Sequence, residues 1–223
     1  MAAAKPGGTE VQRCLVELRQ MIISGALLPG QKVYQSEIAA RLNVSRIPVR
    51  EALSNLQAEG VVTYKAHTGF TVARFSGEDL IEIYLMRRLL ETEILRSIDL
   101  QKVDVVELEA LNAKLASLSP ATDPDEYQDT NHTFHFRLFE YSELKLVIQE
   151  VQRLWYMSSF YRSLFFQEAD SRLRVYDDHA QIIDAIRDGD VERLIQSSDH
   201  HRGATESLVT ERIGWSRPRR SEA

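Results

Sequence analysis

The 223-residue sequence has little cysteine and no long apolar run, and each absence excludes a class of protein. The single cysteine, Cys14, cannot form an internal disulfide, which excludes a small secreted fold held by disulfides. No stretch approaches the roughly eighteen consecutive apolar residues of a transmembrane helix, so we expect no membrane association. Residues 1–9 carry one lysine and no apolar core, so we expect no secretory signal and place the protein in a reducing cytoplasm.

The net charge of −6 argues against a nucleic-acid partner only until its distribution is considered. Residues 1–75 contain nine lysines and arginines against five acidic residues, a balance of +4, and the remainder carries −10. Such asymmetry predicts a basic module that meets an anion and an acidic module with another role. The length and the hydrophobic fraction of 43% allow two modest domains, each with its own core.

The basic part has the element order of a winged helix-turn-helix. Apolar periodicity and turn residues predict helices at residues 11–23, 36–42 and 45–60, followed by strands at 61–64 and 70–73. Asn43 is suited to the left-handed position that ends the second helix, Ser45 to the N-cap of the third, and Pro48 to its first turn. We therefore predict a winged helix-turn-helix domain at residues 9–74, after a disordered tail at 1–8.

In such a domain the N-terminal turn of the third helix enters the major groove of DNA. Arg46 and Arg50 lie four residues apart on one helical face, where they can reach guanine edges or phosphates. The Ser45 hydroxyl and the helix N-terminus favour a phosphate, and Gly69 lets the loop at residues 65–69 approach the duplex closely. The alternative is that the two arginines form only a solvated helix face.

Beyond a hinge at residues 75–77 the pattern is helical throughout. Helices are predicted at residues 78–97, 102–118, 124–140, 144–168, 172–188 and 191–213. Their short connections predict an antiparallel all-α bundle, so the fold class is mainly α, with this bundle following the winged domain. A basic tail occupies residues 214–223.

Four polar residues of this bundle have the spacing of a metal site. Asn131 and His135 are four residues apart, so they lie on the same side of one helix. His179 lies ten residues before Gly189 and His201 twelve residues after it, so the two side chains are expected at about the same level of an antiparallel helical hairpin. Three imidazoles and one amide oxygen suit zinc, with nickel or manganese as alternatives, and leave positions open for water or a small acid. The alternative is that these histidines are ordinary core or surface groups, the interpretation we give to His132 and His200.

The basic part closely resembles the GntR family of bacterial transcription regulators. The resemblance is carried by Ile23–Gly30, Glu37–Ala39, Val44–Leu53 and Leu56–Gly60 and by Gly69. It implies operator contacts from Ser45, Arg46, Arg50 and Gly69, to which we add His67 and Thr68 of the wing loop. Relatives commonly cap the second helix with Ser or Thr and place a basic residue soon after, whereas this chain has Tyr34-Gln35-Ser36. Ser36 is therefore the least supported of the DNA-contact candidates.

The helical part, residues 78–213, resembles the FCD effector domain of the FadR-type branch of this family. The resemblance is carried by Arg87–Glu91, Phe134-His135, Leu138, His179, Ile182, Ala185-Ile186, Gly189-Asp190 and His201. It implies a divalent metal held by Asn131, His135, His179 and His201, although Asn131 stands where the family usually has Asp. Six helices are closer to the VanR-like subgroup.

The resemblance also implies a small carboxylate effector that completes the metal shell. Arg87 is the candidate partner for that carboxylate, because a buried arginine needs an anion and its planar fork matches two oxygens. The alternative for Arg87 is a structural ion pair with Glu91. Tyr156, Phe160 and Tyr161 are candidates for the pocket wall, although an aromatic stripe at helical spacing is more often core.

Together these features predict a homodimeric transcription regulator and not an enzyme. The regulator, a repressor, would bind a palindromic operator in double-stranded DNA of the bacterial cytosol and respond to a small organic acid. One alternative is a metal-dependent hydrolase, which would need a general base beside the metal, but the sequence contains no HExxH motif. Another is a regulator whose effector pocket is apolar and holds no metal.

Overall fold

The computed structural model describes residues 6–119, 122–166 and 171–212. Within these ranges the chain forms two compact units. The first contains the residues up to Phe75 together with Trp155–Phe160, and the second contains Ser76–Leu154 and the residues from Tyr161 onward. In the described ranges no helix is long and apolar enough to cross a membrane.

The first unit is a winged helix-turn-helix. Its elements are α1 (Pro6–Ile23), β1 (Lys32–Val33), α2 (Gln35–Leu42), α3 (Arg46–Ala58), β2 (Val62–Lys65) and β3 (Gly69–Val72). The three strands form an antiparallel sheet in the order β1-β3-β2. Sequence periodicity missed β1, because a two-residue strand is too short to show alternation. Its pairing with β3 in the register Val33 to Phe70 ties the chain before α2 to the wing.

The core of the first unit lies between α1, α2, α3 and the sheet. Leu18 of α1 and Val49, Leu53 and Leu56 of α3 are completely buried. The three α3 residues are spaced so that they lie on one face of the helix, which is the pattern of an amphipathic helix. The opposite side of α3 stays exposed.

The second unit is helical. Its elements are α4 (Gly77–Arg96), a short 3-10 helix (Leu100–Lys102), α5 (Val105–Ser117), α6 (Pro124–Phe139), α7 (Lys145–Phe166) apart from Trp155–Phe160, α8 (Ser171–Arg187) and α9 (Val191–Arg212). The prediction of a mainly α fold with six helices after the winged domain is confirmed for the described residues.

Capping explains where several helices begin. Ser76 and Asp79 form a reciprocal capping box that starts α4. The Asp104 side chain accepts a hydrogen bond from the Glu107 N–H, so α5 begins at Val105 and not at residue 102, where the sequence predicted its start.

The two predicted tails have different outcomes. Helix α1 begins at Pro6, inside the segment predicted as a disordered N-terminal tail. The basic tail predicted at 214–223 lies outside the described residues.

The turn between α8 and α9 aligns the two helices that carry His179 and His201. Gly189 adopts φ = 68°, a left-handed backbone that glycine accepts without strain. The Gly189 N–H bonds the Ile186 carbonyl at 3.1 Å, and the Asp190 N–H bonds the Ala185 carbonyl at 3.0 Å. These bonds end α8 and turn the chain back along it, so α8 and α9 pack against each other.

Candidate functional site

The turn between α2 and α3 is closed by Asn43. This residue has a left-handed backbone (φ 53°, ψ 50°), and its N–H bonds the carbonyls of Ala39 and Ala40. Asparagine tolerates this conformation better than most residues, as the sequence predicts. The chain is thereby redirected into α3, the helix that presents the predicted DNA contacts.

The exposed side of α3 carries three of the predicted DNA contacts. Ser45 is the N-cap residue, and its side chain makes no capping hydrogen bond. Arg46 and Arg50 follow in the first two turns, and all three residues are exposed. A helix N-terminus with nearby arginines attracts phosphate, and an arginine fork also matches the edge of guanine. These three exposed side chains are therefore accessible to a DNA duplex.

The wing adds an exposed loop to the same unit. The Thr68 N–H bonds the Lys65 carbonyl at 3.1 Å, and His67 and Gly69 have positive φ values of 65° and 90°. The left-handed backbone at these two positions makes the turn sharp. His67 and Thr68 are exposed at its tip, and Ser36 is exposed on α2.

Three histidines from three helices converge inside the second unit. His135 of α6, His179 of α8 and His201 of α9 are each at most 8% exposed. One ring nitrogen from each lies within 4.8 Å of the others, and the Nε2 atoms of His135 and His179 are 3.3 Å apart. The geometry brings together the three imidazoles that the helical-hairpin argument predicts.

Neighbouring side chains fix the orientation of two of these rings. The His179 ring stacks on Phe134 with a centroid distance of 3.9 Å. His201 Nδ1 donates a hydrogen bond to Asp178 Oδ2 at 3.1 Å, which leaves Nε2 of His201 as its remaining ligand atom. Such a carboxylate–histidine pair sets the tautomer and raises the basicity of a ligating imidazole. Asp178, the residue directly before His179, is 95% buried and is not among the site residues predicted from the sequence.

Burial keeps two of the imidazoles neutral. It lowers the pKa of His135 and of His179 well below the ordinary value of 6.5, and the nearby His201 lowers both pKa values further. His179, Arg87 and Arg162 also lower the pKa of His135. Neutral imidazoles are the form that binds a metal ion, so these two need no deprotonation at neutral pH.

The side-chain oxygen of Asn131 is a fourth candidate metal ligand beside the three imidazoles. It lies one helical turn before His135 and is 2% exposed, and its Oδ1 atom has no hydrogen-bond partner among the described residues. Leaving a buried acceptor unsatisfied costs about 1–3 kcal/mol. An ion that accepts the lone pairs of this oxygen would remove that cost, so the residues present fit a divalent metal.

A buried cluster of arginines lies in the same unit. Arg87 Nε donates to Glu91 Oε1 at 2.9 Å, and Arg202 Nη1 donates to Glu91 Oε2 at 3.0 Å. The ion pair with Glu91, which the sequence left as an alternative for Arg87, is therefore formed. Both oxygens of Glu91 therefore accept hydrogen bonds from arginines. Arg202 was not predicted from the sequence, because it contacts Glu91 from a helix that is 111 residues away along the chain.

Arg162 of α7 is a third buried arginine in this unit, and it was not predicted from the sequence. It is 6% exposed, and burial, together with the charge of Arg87, lowers its pKa to about 9. Even so, the guanidinium remains charged at pH 7. The charges of Arg87 and Arg162 also act on the buried Tyr84 hydroxyl, which has no hydrogen-bond partner among the described residues. Two cations and a hydroxyl donor can bind an anionic oxygen.

The predicted pocket-wall aromatics are divided between the two units. The Arg19 guanidinium lies 4.1 Å from the ring centroid of Tyr156, and Phe160 packs against the core of the first unit. Tyr161 belongs to the second unit and is 8% exposed. Tyr156 and Phe160 thus take the core role that the sequence left as their alternative.

The two remaining bundle histidines lie outside the cluster of three. The side chain of His200 is 70% exposed. His132 stacks on Phe136 with a centroid distance of 4.1 Å. These are the surface and packing positions predicted for them.

Comparison with known proteins assigns a family to both units. The family model described as "Bacterial regulatory proteins, gntR family" matches residues 12–72. The model described as "FCD domain" matches residues 82–204, more than half of the chain. These ranges cover the winged unit and the helices that carry the histidines.

Individual relatives agree with this assignment. The gluconate operon transcriptional repressor of Bacillus subtilis is 30% identical over 196 residues, covering 83% of this chain and 79% of the relative. The Nta operon transcriptional regulator of Aminobacter aminovorans is 29% identical over 170 residues, covering 75% and 79% of the two chains.

A solved structure from Escherichia coli, McbR/YncC, has the same fold, with a TM-score of 0.81 at 20% identity over 95% of this chain and 99% of that one. The family and the relatives are regulators, so the hydrolase alternative is set aside. The protein is a DNA-binding transcription regulator of the GntR family, with a C-terminal FCD domain.

Proposed function

We propose that this regulator is a homodimeric repressor whose affinity for a palindromic operator is controlled by a small organic acid bound beside a divalent metal ion in the FCD domain. The observation that carries the proposal is the convergence of His135, His179 and His201 in the buried interior, one helical turn from an Asn131 oxygen that has no hydrogen-bond partner in the part of the chain that the structure describes. A buried polar cluster of this kind is costly unless a ligand satisfies it.

The proposed metal ligands are Asn131, His135, His179 and His201. Three neutral nitrogens and one neutral oxygen suit zinc, with nickel and manganese as the alternatives to test. A bound divalent ion would act as a Lewis acid that accepts an oxygen of the effector. Because no proposed ligand is negatively charged, the ion would keep its full charge and favour an anionic effector.

The proposed effector site lies on the arginine side of the histidines. The proposal is supported by the two cations Arg87 and Arg162, whose charges lower the pKa of the proposed ligand His135. We assign to these arginines and the Tyr84 hydroxyl the binding of a carboxylate. Tyr161, buried in this unit, remains a candidate wall residue, whereas the contact of Tyr156 with Arg19 gives it less support.

The proposed operator contacts come from the winged unit. Ser45, Arg46 and Arg50 would read the major groove and its phosphates, and His67, Thr68 and Gly69 would lie along the backbone or minor groove. The exposed Ser36 of α2 is a further candidate. In a bacterium this DNA lies in the cytoplasm, where we place the protein.

A second copy of the chain is proposed because one winged unit reads only one half-site. The exposed side of α4 offers a surface for it: Leu85, Met86 and Leu89 are 43%, 39% and 57% exposed. These residues lie on adjoining turns of one helix, and a twofold contact along α4 would bury them against their own copies. The relative named a gluconate operon repressor supports the direction of regulation.

The effector can change operator affinity only if it binds one DNA-binding state more tightly than the other. The test is therefore a measurement of operator binding by protein of known metal content, with and without small organic acids. We expect at least one acid to weaken binding, and we expect the purified protein to contain close to one equivalent of zinc, nickel or manganese.

His135→Ala and His200→Ala provide the matched comparison. His135→Ala should lose the metal and the acid response but still bind DNA, whereas the exposed neighbour variant His200→Ala should keep both. Metal content below about a tenth of an equivalent in the wild type, with an acid response intact, would instead favour the metal-free effector pocket.

A further inference from the structure

The recognition helix α3 presents one large apolar side chain to the exterior, Ile47. It is 69% exposed, the highest value among the large apolar residues of the winged unit that the structure describes. The others with notable exposure are Val16, Leu28, Tyr34 and Tyr64, at 48–51%. An isolated exposed apolar residue is common on protein surfaces, so the position of Ile47 decides its interpretation.

Ile47 is the second residue of α3 and lies between the proposed DNA contacts. Arg46 precedes it and Arg50 follows three residues later, on the adjoining turn of the same exposed side. The buried side of the helix is formed by other residues, Pro48, Val49, Ala52, Leu53 and Leu56, so Ile47 has no role in this core. The first turn of a recognition helix is the part that reaches base edges.

We propose that Ile47 reads the C5-methyl group of a thymine in each operator half-site. Thymine is the base that displays an apolar group in the major groove, and apolar side chains recognise it by contact. The flanking arginines bind guanine edges or phosphates, so the thymine lies next to a base pair or phosphate that Arg46 or Arg50 contacts. This inference rests on the proposed placement of α3 in the major groove.

The test uses the full-length protein and a binding site selected from random duplex DNA. Each thymine of the selected site is replaced in turn by deoxyuridine, which removes only the methyl group and leaves base pairing unchanged. Affinity is measured at fixed salt by fluorescence anisotropy. At one thymine per half-site we expect about a fourfold loss of wild-type affinity, the factor expected for one buried methyl group.

Ile47→Ala should bind the thymine and deoxyuridine duplexes equally, because the side chain is cut back to Cβ and the atoms that would contact the methyl group are removed. Ile47→Val keeps two methyl groups and should retain part of the discrimination. Val16→Ala, at an exposed apolar position on α1, is the control and should discriminate as fully as the wild type. The exposure of Ile47 means that its variants should keep the melting temperature of the wild type.

Two results would overturn the inference while leaving DNA reading by α3 intact. One is a wild-type protein that is indifferent to deoxyuridine at every position, and the other is an equal deoxyuridine effect in the wild type and in Ile47→Ala. A protein that selects no sequence at all would instead contradict the proposed operator contacts, and the inference about Ile47 with them.

Discussion

His201 donates a hydrogen bond from Nδ1 to Asp178 Oδ2 at 3.1 Å, and Asp178 is the residue directly before His179. One acidic residue on α8 thus orients a ring on α9 and adjoins a second ring of the cluster. It also places a negative charge beside a proposed ligand set that is otherwise neutral.

The first prediction concerns this hydrogen bond. Asp178→Asn should weaken metal binding by about 10–100-fold, because the amide keeps the size of the side chain but loses the carboxylate charge that accepts the hydrogen bond from His201 Nδ1. Isothermal titration calorimetry with zinc measures the effect. The control is Asp177→Asn, at the exposed neighbouring position. Equal zinc affinities for Asp178→Asn and the wild type would show that the contact has no role in metal binding.

The second prediction concerns pH. Burial lowers the pKa of His135 and His179 below the value of about 6.5 that they have in the unfolded chain. Below pH 6.5 the unfolded state therefore binds more protons than the folded state, so stability falls as pH falls. The metal-free protein should have a lower free energy of unfolding at pH 5.5 than at pH 7.5 in urea titrations.

The matched variant for the pH experiment is His135→Gln, which removes one of the two groups. Its free energy of unfolding should depend less steeply on pH over the same range. A wild-type stability that is flat or rises between pH 7.5 and 5.5 would contradict the assignment of neutral buried imidazoles.

The third prediction concerns Arg162. Burial lowers the pKa of Arg162 to about 9, so its guanidinium is still charged at pH 7, and Arg162→Gln removes this charge while keeping a polar side chain. The same change should abolish the rise in melting temperature that an acid such as malate gives to a wild-type protein that binds it. Arg88→Gln, on the exposed side of α4, should retain that rise. An effector response that survives Arg162→Gln would remove Arg162 from the site.

The fourth prediction concerns the operator. Arg46→Ala and Arg50→Ala should each weaken operator binding by about 1–3 kcal/mol if they contact bases, and should reduce the salt dependence of binding if they contact phosphates. Arg96→Ala, an exposed position in the second unit, should bind the operator like the wild type. Unchanged binding in both α3 variants would exclude this helix as the reading element.

The fifth prediction concerns assembly. Leu89→Glu should convert the proposed dimer to a monomer in light scattering, because the proposed contact would bury two unpaired carboxylates against apolar surface. Leu146→Glu is the control at another exposed leucine, 80% accessible on α7, and should remain dimeric. A dimer that survives Leu89→Glu would exclude this side of α4 as the interface.

The sequence was sufficient where function depends on spacing within one helix or one hairpin. The pairs Asn131 with His135 and Arg87 with Glu91 share a helical face, and the distances from Gly189 place His179 beside His201. These local rules predicted the α-helices of both units, the two strands of the wing and three histidines that meet in space, but not the short strand β1 or the 3-10 helix.

The sequence was insufficient where function depends on packing between helices that are distant along the chain. Arg202 and Glu91 are 111 residues apart along the chain, and the residues around neither of them indicate the contact. Arg162 gave no periodic signal because it lies in a helix that carries apolar residues on several sides. Helical spacing left two roles open for Tyr156, pocket wall or core, because spacing does not reveal which core an aromatic ring enters.

The turn at Gly189 has a consequence for which sequence changes the FCD domain can accept. Each helical residue contributes about 1.5 Å of rise and about 100° of rotation, so one residue inserted into this turn would carry His201 away from His179. Substitutions at the solvent-exposed Asp188 leave that alignment intact. Chains that diverge from this one can therefore vary an exposed turn residue such as Asp188, provided that Gly189 is kept, whereas a change in the length of the turn would separate the two imidazoles in a single mutational step.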